Sequence, residues 1–172
     1  MLRILLLTTF IHLTLFGLEQ NDLKAVFLER FTRFIEWPVQ STLHQETTFN
    51  VCVINDTDFA KTLKNIYANK TIKNRPVNVI NILENSNKKR CSLLYIGNSE
   101  HVSNLVSEAK KYHILTVSHN ETFGSEGVMI NFYLDQQRMR YEINNHSAKE
   151  SDLSISYLLL KSARLIPLKS IQ

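Results

Sequence analysis

The side chains that could carry chemistry in this sequence are scattered and form no catalytic motif. The six histidines are His12, His44, His101, His113, His119 and His146. Their spacing contains neither H-E-x-x-H nor H-x-x-E-H, and histidines at helix starts and in loops are usually surface residues. With four glycines in all, the chain contains no glycine-rich phosphate loop and no G-x-S-x-G turn. The sequence therefore predicts no enzymatic activity, no cofactor and no metal site.

The cysteines allow either a disulfide or two buried thiols. Cys52 and Cys91 are the only cysteines, which is too few for a four-ligand zinc site. In an oxidising compartment they can pair, and closing a loop of about 40 residues would stabilise the fold by about 4 kcal/mol in the chain-entropy treatment. The alternative is that both pack as small hydrophobic residues. The N-terminal residues favour the disulfide, because they predict export.

The N-terminus has the features of a secretory signal peptide. A basic start at residues 1–3 precedes an apolar run at residues 4–16, which is short for a membrane span. After Gly17 the sequence becomes polar. We therefore predict a signal peptide over residues 1–18, and a single α/β domain over residues 19–172 that is exported to the periplasm. The alternatives are an uncleaved anchor and a buried helix.

Composition and charge exclude several classes of protein. Hydrophobic residues make up 44% of the 172 residues and charged residues 21%, which is typical of a globular domain and not of a disordered chain. The net charge of +4 is spread along the chain, with no basic run beyond residues 87–90. Because nucleic-acid binders concentrate lysine and arginine on one face, no nucleic-acid partner is predicted.

The apolar pattern predicts helices and strands in alternation. Predicted helices cover residues 23–37, 59–68 and 101–112, and predicted strands cover residues 49–54, 76–83, 92–97 and 113–118. Pro38 is expected to end the first helix, because the residue before a proline is pushed out of the helical region. Strands that alternate with helices of this length favour a three-layer α/β sandwich, in which a largely parallel sheet is flanked by helices.

The C-terminal third predicts an antiparallel hairpin and a final helix. The segments 127–134 and 137–144 are separated by Asp135 and Gln136, a length that favours a two-residue hairpin turn. Apolar residues share one side of both strands: Val128, Ile130, Phe132, Leu134, Met139, Tyr141 and Ile143. A short helix over residues 147–151 is predicted next. A last helix follows over residues 154–165, with its inward residues Ile155, Leu158, Leu159, Ala163 and Ile166.

Two groups of residues are candidate binding sites. On the polar side of the hairpin, Arg138, Arg140 and Glu142 suit a partner surface or an anion pocket. The simpler alternative is a solvated sheet face with charge pairs between strands. Trp37, the only tryptophan, stands at the end of the first helix. It could anchor a partner, since tryptophan is favoured at interface hot spots, or it could close the core over the helix end.

Several segments together carry a family resemblance. They are KAVFL (24–28), FIEWP (34–38), VCVI (51–54), CSLLYIG (91–97), ILTVS (114–118), GVMINF (127–132), RYEIN (140–144) and LLLKSAR (158–164). Their order resembles that of the YfiR/HmsC-like family of bacterial periplasmic proteins, and they extend over nearly the whole chain after residue 18. Cys52 and Cys91 match the structural cysteine pair of that family. The second pair that some members carry near the hairpin has no counterpart here.

The resemblance implies regulation by protein binding. Such proteins are exported repressors that bind the periplasmic sensor part of an inner-membrane diguanylate cyclase. In that family, binding restrains cyclic-di-GMP synthesis, and hence biofilm formation, until an outer-membrane OmpA-like lipoprotein sequesters the repressor. Family members form dimers, so a homodimer is also implied. The alternative is a periplasmic small-molecule-binding sensor module that acts on another membrane signalling protein.

Overall fold

The computed structural model describes residues 20–167. The predicted signal peptide, residues 1–18, lies outside the described residues. Within residues 20–167, each helix is too short or too polar to span a lipid bilayer.

Five α-helices and ten strands follow one another along the described chain. In order they are α1 (Gln20–Arg33), β1 (Ile35–Glu36), β2 (Phe49–Ile54), α2 (Thr57–Tyr67), β3 (Thr71–Ile72), β4 (Arg75–Ile82), β5 (Leu93–Ile96), α3 (Val102–Lys111), β6 (Leu115–Ser118), β7 (Ile130–Asp135), β8 (Arg138–Ile143), α4 (Asn145–Glu150), β9 (Ser154–Ile155), α5 (Tyr157–Lys161) and β10 (Arg164–Leu165). The predicted helices and strands before the hairpin are confirmed, with bounds that differ by a few residues.

The main sheet is largely parallel. Its eight strands lie in the order β10-β8-β7-β6-β5-β2-β4-β3. From β4 to β7 the neighbouring strands are parallel, whereas β8 is antiparallel to β7. The chain first goes from β2 to β4, which lies on one side of β2, and then to β5, β6 and β7, which lie on the other side of β2. The strand order therefore reverses direction between β2 and β5.

Helices cover both faces of this sheet. Along β2, Val51 and Val53 belong to the core under α1 and α2, whereas Cys52 and Ile54 belong to the core under α3. Buried residues on both faces explain why β2 is apolar at successive positions. The predicted three-layer α/β arrangement is therefore confirmed.

Capping and apolar spacing explain the position of α2. The side chain of Asp56 accepts a hydrogen bond of 2.9 Å from the backbone N–H of Phe59, which satisfies an otherwise unpaired donor at the helix start. Phe59, Leu63 and Tyr67 then follow at intervals of four residues, and all are buried. This spacing holds α2 against the sheet beside β2.

The hairpin has the predicted faces but a different turn. Its turn residues are Gln136 and Gln137, with φ angles of 47° and 63°, and Asp135 pairs with Arg138. The prediction that Asp135 belongs to the turn is wrong. Positive φ at both central residues is typical of the turn type whose twist suits a two-residue hairpin. Moving the turn by one residue changes the register by two, so every side chain keeps its predicted face.

The first helix ends earlier than predicted. It stops at Arg33, so the prediction that Pro38 ends it is wrong. Ile35 and Glu36 instead form β1, which pairs antiparallel with β9. A strand pairing distant in sequence therefore overrides the helical pattern of this segment.

The predicted final helix is present as α5, but it is shorter than the predicted span of residues 154–165. This segment forms β9, the five-residue α5 and β10. Its two ends leave the helix because Ile155 pairs with Ile35 and Arg164 pairs with Glu142. Leu158, predicted to face inward, is 68% exposed.

A disulfide joins Cys52 in β2 to Cys91, which lies just before β5. Both cysteines are buried against the apolar residues of α3. The predicted pairing is therefore confirmed, and the alternative of two free thiols is wrong.

Candidate functional site

Aromatic packing against α1 fixes the orientation of the hairpin. The ring centroid of Phe31 lies 5.6 Å from that of Phe132 in β7 and 4.7 Å from that of Tyr141 in β8. Phe27, one helical turn earlier, contacts the same two rings. The apolar side of the hairpin therefore faces α1, and its polar side faces away from the helix.

The polar side presents the predicted arginines near the hairpin turn. Arg138 and Arg140 are both exposed. They lie opposite Asp135 and Tyr133 on β7. Because residues two apart share a face of a strand, the structure brings the two guanidinium groups to one exposed side of β8.

Glu142 lies on the same side but is buried. Its carboxylate accepts hydrogen bonds from Asn131 Nδ2 at 3.1 Å and from Arg164 Nε at 3.0 Å. Gly124 packs so closely over it that an added Cβ would collide with the carboxylate. Glu142 therefore has its partners within the fold and positions Arg164.

Arg164 adds a third guanidinium group to this face. Its side chain is 57% exposed, compared with 8% for that of Glu142, and it stacks on the Tyr133 ring at 3.9 Å from the centroid. The hydrogen bonds to Glu142 raise the pKa of Arg164, so its charge is permanent. Arg138, Arg140 and Arg164 together are called the arginine face below. Nothing in the sequence pattern marked Arg164, because it fell within a predicted helix.

Replacing Arg164 by alanine is expected to lower the free energy of unfolding by about 2 kcal/mol. The buried Glu142 carboxylate would keep its charge but lose its cationic partner. Urea unfolding followed by circular dichroism measures the change. Adding Glu142→Gln should restore part of the lost stability, and Arg140→Ala should cost less than about 0.5 kcal/mol. An Arg164→Ala protein as stable as the wild type would contradict this role.

Trp37 lies at the other end of the sheet. Its indole Nε1–H donates to the backbone oxygen of Ser92 at 3.2 Å, and its ring packs edge-on against Phe49. These neighbours are at the amino ends of β5 and β2, whereas the hairpin turn follows the carboxyl end of β7. Trp37 is 7% exposed. The structure therefore does not bring Trp37 together with the arginine face.

A groove runs beside the arginine face. It lies between α1, the hairpin and α5, with a volume of about 640 Å³. Its walls combine apolar, aromatic and cationic side chains, including Phe27, Phe34, Tyr141, Leu158, Arg140 and Arg164. Strand β10 pairs only with the last two residues of β8, so within residues 20–167 the outer edge of β8 from Arg138 to Tyr141 has no neighbouring strand. Apolar walls, cations and an open strand edge are features of a protein-binding surface.

A second concave region lies at the carboxyl ends of β2, β5 and β6. Asn55 and Asp56 follow β2, Gly97 follows β5, and His119 follows β6. A Cβ at Gly97 would lie 2.5 Å from the backbone oxygen of Asn55, so only glycine allows these turns to approach so closely. In open α/β sheets, ligands bind beyond the carboxyl ends of the strands where the strand order reverses. We call this region the carboxyl-end crevice.

Three polar side chains form a chain of hydrogen bonds beside this crevice. Lys24 Nζ donates to Tyr95 Oη at 3.1 Å, and Tyr95 Oη lies 2.6 Å from His119 Nδ1. Burial lowers the pKa of Lys24 and of His119, and it raises the pKa of Tyr95. Sequence reasoning missed this cluster. The signal was a lysine at position 24, on the same helical stripe as the buried Leu28 and Phe31.

The fold and this surface define a class of protein: a disulfide-linked three-layer α/β domain with an open strand edge and no grouped metal ligands within residues 20–167. The YfiR/HmsC-like family matches residues 21–164. The chain belongs to this family, which is regulatory and not catalytic. No curated protein matches the sequence.

Solved structures show the same fold at low sequence identity. A conserved domain protein from Vibrio cholerae has a TM-score of 0.63 and 8% identity, over 85% of this chain and 60% of that chain. An ABC domain in complex with L-Trp from Streptococcus pneumonia has a TM-score of 0.51 and 9% identity, over 80% of this chain and 60% of that chain. The protein described here thus matches about 60% of the length of each. These likenesses concern the fold alone.

Proposed function

We propose that this protein is an exported regulator that binds the periplasmic sensor part of an inner-membrane diguanylate cyclase and represses it. Cyclic-di-GMP synthesis, and with it biofilm formation, would then depend on how much free regulator is present. Membership of a regulatory family over residues 21–164 supports the class of function. The Cys52–Cys91 disulfide supports an oxidising compartment such as the periplasm, and the predicted signal peptide supports export.

The arginine face, next to the groove and the open edge of β8, is the observation that supports binding of a protein partner. An extended segment of the sensor part can add to the free edge of β8 through main-chain hydrogen bonds. Its carboxylates can pair with Arg138 and Arg140, and its apolar side chains can contact the exposed Leu158. Such a partner is held by backbone pairing, charge and apolar contact together.

Competition for this surface would release the cyclase. An outer-membrane OmpA-like lipoprotein that binds the same edge would sequester the regulator, and a second copy of the chain forming a homodimer could occupy it in the free protein. Each of these partners changes cyclase activity only if it binds the free regulator with a different affinity from the regulator already bound to the cyclase. Trp37 stays a separate prediction as a partner anchor at the opposite end of the sheet.

Replacing Arg138 and Arg140 by alanine is expected to weaken binding to the sensor part about tenfold, which corresponds to about 1.4 kcal/mol. Both side chains are exposed, so the free energy of unfolding should change little. Glu142 is left intact because it is buried in an ion pair. Titration of the purified periplasmic domain of the cyclase measures affinity, and cellular cyclic-di-GMP, which should rise, measures repression.

The matched control is Lys61→Ala with Lys64→Ala, which removes the same charge from exposed positions on α2. This control should bind and repress like the wild type. A folded Arg138→Ala, Arg140→Ala protein that binds the sensor part with unchanged affinity would overturn the proposed surface.

The second candidate function is a periplasmic small-molecule-binding module that acts on another membrane signalling protein. It is favoured by the carboxyl-end crevice, because ligand sites of open α/β sheets lie at this position. The neighbouring genes distinguish the two functions. An adjacent membrane protein with a cyclase output domain would favour the repressor, and one with a different output domain would favour the module.

A further inference from the structure

Lys24 is a buried cation without an ion-pair partner. The residue is 6% exposed, and within residues 20–167 no carboxylate lies within ion-pair distance of its ammonium group. Its hydrogen bond to Tyr95 Oη is the only one it makes to the described residues. Two of its three N–H bonds therefore have no acceptor there. Burying a charged group in this way is costly, and most buried charges are paired.

Aromatic rings near Lys24 offset part of the cost of burying its charge. The ammonium nitrogen lies 4.5 Å from the ring centroid of Phe59 and 5.5 Å from that of Tyr95. Burial lowers the pKa of Lys24, and the charge of Asp56 opposes this shift in part, but the Asp56 carboxylate accepts the capping hydrogen bond at the start of α2. Cation–π contacts of this kind contribute about 0.5–2 kcal/mol, well below the cost of removing an ammonium group from water.

The hydrogen-bond chain fixes which atoms of Lys24, Tyr95 and His119 act as donors. Lys24 has no acceptor atom, so it must donate to the oxygen of Tyr95. The Tyr95 hydroxyl hydrogen is then free to donate to His119 Nδ1, 2.6 Å away. A neutral imidazole that accepts at Nδ1 carries its hydrogen on Nε2. His119 is exposed, so this N–H can reach a ligand.

A small cavity joins these donors to apolar walls. It has a volume of about 150 Å³, and its lining residues are Gln20, Lys24, His119, Glu121, Phe132, Tyr133, Leu134 and Met139. This space corresponds to about five water molecules. His119 and Glu121 border both this cavity and the wider carboxyl-end crevice. The cavity thus combines an ammonium group, an imidazole and the Glu121 carboxylate with apolar side chains.

We propose that Lys24 and His119 bind the carboxylate of a short-chain monocarboxylic acid in this cavity. The carboxylate would accept the unused N–H bonds of Lys24 and the Nε2–H of His119, and the hydrocarbon chain would contact Phe132 and Met139. Inorganic phosphate has no hydrocarbon part to contact the apolar side chains, so we expect it to bind more weakly. The carboxylates of Asp56 and Glu121 border the same region and repel polyanions, so a single negative charge is selected.

The test measures butyrate binding to the purified protein in a buffer free of carboxylates. Sodium butyrate is expected to raise the melting temperature, whereas sodium chloride and sodium phosphate of equal ionic strength do not. Calorimetric titration should show affinity about tenfold weaker for Lys24→Met, because the variant keeps the apolar stem but lacks the ammonium group. The control Lys61→Met removes an exposed lysine of α2 and should bind like the wild type.

A second readout does not depend on the folding of a variant. In the wild type, butyrate should shift the proton resonances of the His119 imidazole and leave those of His44, at the opposite end of the sheet, unchanged. Absence of any butyrate effect on the wild type, or equal binding by a folded Lys24→Met protein, would overturn the proposal. Because no cyclase is present, the outcome is independent of the proposed regulatory function.

Discussion

Replacing both Cys52 and Cys91 by alanine is expected to lower the free energy of unfolding by about 4 kcal/mol. The disulfide closes a loop whose ends are 39 residues apart in sequence, and this loop contains the end of β2 together with α2, β3 and β4. Without the cross-link the unfolded chain has more conformational entropy, and this favours unfolding. A decrease of this size corresponds to a melting temperature lower by about 10 °C. Urea unfolding and calorimetry measure both quantities.

The reducing agent dithiothreitol provides the control for this expectation. It should destabilise the wild type by a similar amount and should leave the Cys52→Ala, Cys91→Ala protein unchanged. Equal stability of the two proteins under oxidising conditions would show that the cross-link does not constrain the unfolded chain. Binding of the sensor part should survive the substitution below the lowered melting temperature, because neither cysteine borders the arginine face.

Replacing Phe31 by alanine is expected to cost about 3–5 kcal/mol in the free energy of unfolding. Phe31 is 1% exposed and contacts the rings of Phe27, Phe132 and Tyr141. Its removal leaves a cavity between α1 and the hairpin, the contact that orients the arginine face. Hydrogen exchange should therefore show the hairpin amides losing protection before those of β2 and β5.

Val26→Ala is the matched control on the same helix. Val26 is 48% exposed, so its truncation should change the free energy of unfolding by less than about 0.5 kcal/mol. A Phe31→Ala protein that retains full hairpin protection would contradict the role of α1 in holding the hairpin. Partner affinity should fall with hairpin protection if the arginine face is the binding surface.

The hairpin shows how far a local pattern can predict structure. Alternation of apolar and polar residues assigned every side chain to its face, although the turn lies at Gln136 and Gln137 and not at Asp135 and Gln136. The side-chain period of two makes the faces insensitive to this error. The charges of Arg138 and Arg140 were placed on the exposed side for the same reason. The alternation of side chains along a strand depends only on neighbouring residues, so the sequence alone determines it.

The environment of Glu142 depends on the tertiary structure. The alternating pattern predicted a polar position on a sheet face, but it contained no information on what covers that face. Arg164 reaches Glu142 only because β10 pairs with β8, and Gly124 covers the carboxylate from a loop. The residues that bury Glu142 are thus about 20 positions away in sequence on either side.

The same distinction applies to the hydrogen-bond chain beside the carboxyl-end crevice. Lys24, Tyr95 and His119 lie in α1, in β5 and after β6, and the fold brings both Lys24 and His119 within hydrogen-bonding distance of Tyr95. A lysine in an apolar helical stripe was the only local sign of this site. Its partners are set by strand order, which apolar periodicity does not specify.

The sequence by itself determined the α/β class, the hairpin faces, the cysteine pair and the family. Each of these depends on the spacing of apolar residues, on the number of cysteines or on the order of segments, and all of these can be read along the chain without knowing which residues meet in space. The tertiary structure decided the end of α1, the shortening of the final helix to α5, the burial of Glu142 and the hydrogen-bond chain from Lys24 through Tyr95 to His119. These follow from pairings between residues distant in sequence, whose burial and hydrogen bonds outweigh local propensity.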